Sequence, residues 1–132
     1  MKNLYLSAVM VFSSVVSSDA CAEWVRIYGN EKMTAYADPS SIRSKGNIVR
    51  ISSLFDFKTE AVLNDGNIYL STVRETEFNC RENLQRMVGY SIYSGKMGKG
   101  KMLDSGSDAQ EWKPVSKIKV AIDIKEYACD SA

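Results

Sequence analysis

Apolar and polar residues alternate along most of this chain, and the alternation predicts strands. Trp24-Val25-Arg26-Ile27-Tyr28 forms the first, closed by the turn residues Gly29-Asn30. Met33 to Ala37 predicts a short partner strand, ended by Asp38-Pro39-Ser40-Ser41. That tetrad has turn chemistry, because an Asp side chain can bond the backbone two residues on and Pro presets φ. A turn at Ser44-Lys45-Gly46-Asn47 leads into a long strand. There Val49, Ile51, Ser53, Phe55 and Phe57 share one face, with Arg50, Ser52 and Asp56 opposite.

The loop Asn64-Asp65-Gly66-Asn67 opens onto a second long strand, Ile68 to Asn79. In the strand after it, Leu84, Val88, Tyr90 and Ile92 share a face, with Arg86 the polar exception. Gly95, Gly98 and Gly100 punctuate a tight hairpin, and the residues after Ser105-Gly106-Ser107 read as loop up to Trp112-Lys113-Pro114. Strands at near-even spacing, with no helical pattern between them, predict one antiparallel sheet. The aromatic residues Tyr28, Tyr36, Phe55, Phe57 and Tyr90 are expected in its core.

The last segment, Val115 to Cys129, divides the evidence. Ile118, Val120, Ile122 and Ile124 alternate strictly and are β-branched, which favours a strand. Ile118, Ala121, Ile122 and Lys125 recur at helical spacing, and Pro114 followed by Ser116 resembles a helix start. Pattern alone leaves both readings open.

The N-terminus adds a compartment. Lys2, the apolar stretch Leu4 to Val16 and the small-residue site Ala20-x-Ala22 read as a signal peptide over residues 1–22, with the domain at 23–132. The apolar stretch is interrupted by serines and falls short of the ~20 residues of a membrane span. Cleavage after Ala22 removes Cys21 and leaves Cys80 and Cys129 in an oxidising compartment where they can pair. A disulfide there would close a loop of about 50 residues and stabilise by roughly 4 kcal/mol in the chain-entropy model. The competing reading makes Cys21 the lipid-modified first residue of a lipoprotein, although Ser18 stands where such sites normally carry Leu. Localisation therefore reads as periplasm, cell surface or secreted, with a lipoprotein anchored at Cys21 as the alternative.

Composition narrows the chemistry. Seventeen Lys and Arg against sixteen Asp and Glu leave a net charge of +1, too balanced for a nucleic-acid-binding face. With no His in the chain, Ser-His-Asp triads, Cys-His pairs and His metal sites are excluded. We expect no enzyme activity, metal or cofactor. Glu75 and Glu77, two apart on one strand face, read as carboxylates facing water. Gly95 to Lys101 spells G-x-x-x-x-G-K, but Met102 occupies the Mg²⁺-binding Ser/Thr position and the loop should not open a helix. Lys96, Lys99 and Lys101 on that hairpin are the candidate partner-binding patch for acidic segments, weighed against a loop that is simply solvated.

Glu23-Trp24-Val25-Arg26, Tyr36-Ala37-Asp38-Pro39-Ser40-Ser41-Ile42-Arg43, Glu77-Phe78-Asn79-Cys80, Tyr93-Ser94-Gly95-Lys96-Met97-Gly98 and Glu111-Trp112-Lys113-Pro114-Val115 follow one another, ending in Cys129. In that order they resemble the surface-adhesin protein E-like domain family of Gram-negative bacteria. The resemblance implies an α+β fold: about six antiparallel strands with a C-terminal helix packed on one face, tethered by a disulfide. It thereby tips Val115–Cys129 towards helix. It also implies a non-enzymatic binding domain, with host extracellular-matrix or serum proteins as partners and a homodimer left open. A periplasmic structural or accessory protein of the cell envelope, with no adhesive role, is the alternative. Lys96 departs from the Pro expected at its position, and the Lys96, Lys99, Lys101 trio is denser than the family pattern.

Overall fold

A computed structural model describes residues 23–132. The signal segment, the cleavage site and Cys21 lie outside the described residues. Seven strands form one antiparallel sheet: β1 (Val25–Gly29), β2 (Met33–Lys45), β3 (Ile48–Val62), β4 (Ile68–Asn79), β5 (Leu84–Tyr93), β6 (Met102–Gly106) and β7 (Lys113–Pro114). The first six lie in chain order, and β7 pairs with β5. A helix, α1 (Lys119–Asp130), closes the chain. The α+β fold expected from the resemblance is the fold observed.

The registers sort the residues into two faces. Val49, Ile51, Ser53 and Phe55 of β3 stand opposite Phe78, Thr76, Arg74 and Thr72 of β4, and Ala35 opposite Phe55. This face carries the core, in which Ala35, Ala37 and Ile51 are completely buried. The two alanines leave room for α1 to lie close to the strands. Val120, Ile124, Tyr127 and Ala128 of the helix pack into that cluster, a stripe at three- and four-residue spacing. The strand alternation in the same segment does not describe its burial, since Ile118 is 66% exposed and Ile122 37%. A helix wins because its stripe can cover several strands at once, whereas one more strand could only add to an edge. Cys80, immediately after β4, is bonded to Cys129 in the last turn of α1, with the Cα atoms 5.9 Å apart.

Two strands depart from their sequence patterns. Asp38-Pro39-Ser40-Ser41 does not reverse the chain; β2 continues through it as a bulge to Lys45. The expected Asp bond forms, since Ser40 N donates to Asp38 Oδ1 at 3.0 Å. Ser41 Oγ then accepts from Ser52 N at 2.8 Å, replacing a ladder bond and letting the strand resume. In β5 a bulge at Val88 separates the pairs Thr76–Met87 and Glu75–Gly89. The single extra residue reverses the side-chain parity. Tyr90 and Ile92 therefore join Gln85 and Met87 on the helix face, while Leu84 and Arg86 point to the reverse face. The expectation that Leu84, Val88, Tyr90 and Ile92 share a face fails for that reason. Of the expected core aromatics, Phe55 is buried and Tyr28 and Phe57 pack against the core, whereas Tyr36 and Tyr90 lie outside it.

Candidate binding surfaces

The basic loop between β5 and β6 does not stand free as a hairpin. It folds back across the reverse face of β3 and β4 through a short 3₁₀ turn at Lys96–Gly98. Asp56 and Ser71 hold it there. Asp56 Oδ1 accepts from Met97 N at 2.9 Å, and Ser71 Oγ accepts from Gly98 N at 2.9 Å while donating to Gly95 O at 2.6 Å. Beneath the loop, Leu54 and Ser71 are fully buried. Gly98 stands at φ 69°, a left-handed backbone conformation that favours glycine, directly over Leu54 and Val73.

This geometry divides the three lysines. Lys96 Nζ donates to Phe57 O at 2.8 Å and pairs with Asp56 Oδ2 at 3.3 Å, so it helps to anchor the loop. Lys99 and Lys101 are exposed and project from its outer side. The G-x-x-x-x-G-K pattern is not a phosphate cradle here. The N–H groups of Gly95, Met97, Gly98 and Lys99 are already used by Lys99 O, Asp56, Ser71 and Lys96 O. A three-residue turn also supplies no helix dipole.

Further along the reverse face, Glu75 and Glu77 are not simply solvated. Glu75 accepts from Ser52 Oγ and lies 3.7 Å from Arg50, while Glu77 pairs with Arg86 at 2.8 Å. The Arg86 guanidinium stacks on Trp112 at 4.5 Å, which pins the irregular segment before β7 against β5. Pairs this exposed each contribute at most about 1 kcal/mol.

The helix face is covered unevenly. Helix α1 touches β1 to β4 and leaves the β4–β5 side open, where a cavity of about 390 Å³ lies among Thr72, Arg74, Gln85, Met87, Ile92 and Lys113. The Arg74 side chain is open to this groove and stacks on the Phe55 ring at 4.5 Å. The protein crowded around it still removes enough water to lower its pKa from the ordinary arginine value. Tyr90 also lines the cavity; its hydroxyl donates to Asp104 at 3.2 Å, and that carboxylate raises the phenol's pKa. The sequence reading did not single out Thr72 or Arg74. The available signal was parity along β4, which places both on the face of Phe78.

Among the described residues no group of His, Cys, Asp and Glu is arranged to hold a metal ion, and no helix is long and apolar enough to cross a membrane. The described residues thus form an antiparallel meander half-covered by a disulfide-tethered helix, with an anchored basic loop on the other face. Residues 24–130 match the family model of surface-adhesin protein E, and the chain belongs to that family. The fold is shared with crystal form II of Haemophilus influenzae protein E, at TM-score 0.65 and 14% identity over 85% of this chain and 91% of that one. Protein E from non-typeable Haemophilus influenzae aligns at TM-score 0.62 and 15% identity, covering 86% of this chain and 79% of the other. No curated protein matches the sequence.

Proposed function

We propose that this chain is exported, begins at Glu23 after cleavage, and works at the cell surface as a non-enzymatic binding domain for host extracellular-matrix or serum proteins. The observation that carries this reading is membership of the surface-adhesin protein E family across residues 24–130. The partner surface is the outer side of the basic loop, where Lys99 and Lys101 offer two exposed cations to acidic protein segments and Lys96 keeps the loop in place. Charge of this kind steers encounter and sets salt dependence more than it sets raw affinity.

The test has two parts. Intact-mass measurement of the exported protein should give a chain starting at Glu23, without acyl groups and two protons lighter than its reduced form. On intact cells the domain should be accessible to added protease, and the purified chain should bind immobilised matrix or serum proteins. Strictly periplasmic protein that binds none of them would instead identify an accessory component of the cell envelope.

A further inference from the structure

Helix α1 has little of its own to hold it. Ile118 before it provides no side-chain cap, its first turn holds Lys119 and no acid, and it ends on Asp130 with no base in the last turn. A cation at the N-terminus and an anion at the C-terminus both oppose the helix dipole, and twelve residues are marginal for a helix standing alone. The pair of Lys119 with Asp123 at 2.8 Å is of the weak surface kind. Val120, Ile122 and Ile124 are β-branched, which favours a strand. Ile118 and Ile122 stay 66% and 37% exposed, so the docked helix uses only half of the alternating pattern. What excludes the strand is the covalent frame. Val115 N donates to Asn83 O at 3.0 Å, and Cys129 is bonded to Cys80 with the Cα atoms 5.9 Å apart. Cys80 and Asn83 stand three residues apart in the chain, so the two ends of the segment are fixed within roughly 23 Å of each other. An extended strand from Val115 to Cys129 would span about 46 Å. The observed path fits because a short extended lead is followed by a helix, rising only about 1.5 Å per residue, that turns back towards Cys80.

We infer that the Cys80–Cys129 bond is a redox-operated conformational lock. Closed, it confines Val115–Cys129 to the helix; opened by a dithiol, it releases the segment to pair as a strand with Ile118, Val120, Ile122 and Ile124 on one face. The dithiol transfers two hydrogens to the bonded sulfurs, leaving two thiols, and is itself oxidised to a disulfide. Neither cysteine is sealed in the core; both are half-buried at its margin. Among the described residues β1 and β6 are the outer strands of the sheet, and a free edge of this kind can receive a further strand. The lock does not involve the basic loop and goes beyond the adhesive reading.

Hydrogen exchange read by mass spectrometry, together with amide I infrared spectra, tests this on the disulfide-bonded chain before and after dithiothreitol. Reduction should speed exchange across residues 119–130 at least about tenfold while β3 and β4 stay protected. The infrared spectrum should lose helix and gain strand, whether or not the reduced chain associates. Ile122→Lys should leave the oxidised helix as protected as in wild type, because the position is exposed. After reduction the same variant should gain no strand, because the charge then falls on the apolar face. Cys129→Ser should show the reduced behaviour without any dithiol. Unchanged protection of the helix after reduction would overturn the inference. So would loss of protection in β3 and β4 at the same rate, loss of helix with no gain of strand, or an equal gain of strand in Ile122→Lys.

Discussion

Across β1 to β3 the helix face is filled by Ala35, Ala37, Ile51 and Phe55 and covered by α1, whereas across β4 and β5 the same face carries Thr72, Arg74, Gln85 and Met87 and α1 reaches only its edge, at Arg74 and Gln85. The strands are continuous and the hydrogen-bond ladder runs through both regions, so backbone structure does not distinguish them. Side-chain size and polarity do. Small and branched residues in the first region let a helix approach and be bonded down by Cys80–Cys129. In the second, the Arg74 guanidinium and the polar side chains around it leave the surface open to solvent.

The covered side should be where substitutions cost most. Cys129→Ser removes the loop-closing bond and should lower stability by up to about 4 kcal/mol, read as a large fall in Tm. An unchanged Tm would mean packing alone secures the helix. Ile124→Ala empties a 4%-exposed core position and should cost about 3 kcal/mol in denaturant unfolding. A cost below about 1 kcal/mol would place the helix outside the cooperative core.

On the reverse face Asp56→Ala frees Met97 N–H and Lys96 together and should cost about 2 kcal/mol. It should also make the loop amides exchange faster, while α1 stays protected. The open side should respond in the opposite sense. Thr72→Val replaces a buried unpartnered hydroxyl with a methyl and should raise stability by about 1 kcal/mol. Destabilisation would mean that the hydroxyl is satisfied within the folded protein.

Much of this arrangement was legible in the sequence, and the misses have local causes. The Val49 to Phe57 alternation survives because the irregularity opposite Arg50 and Ser52 puts its extra residues in β2, and the irregularity of β3 itself begins only after Asp56. At Asp38 the turn chemistry was correctly read, but the ladder bond supplied by the Ser41 hydroxyl, which carries the strand onward, has no sequence signature. The Val88 bulge is equally silent, and it hid the cavity by putting Tyr90 and Ile92 on the wrong face. The basic loop was recognisable from its glycines. Its docking depends on Asp56 and Ser71, which lie about 40 and 25 residues earlier in the chain. The last segment carried both periodicities, and tertiary cover decided between them.

The most direct test of the functional account is a binding assay of the exported chain against matrix and serum proteins at low and physiological salt, comparing wild type with Lys99→Ser/Lys101→Ser. Solvated surface lysines typically contribute within ~0.5 kcal/mol, so the double variant should remain as stable as wild type. The account predicts weaker binding and a flatter salt dependence in that variant, because exposed charges are screened within about 8–10 Å at physiological salt. Undiminished binding with the same salt dependence would contradict it and move the partner contact away from the loop.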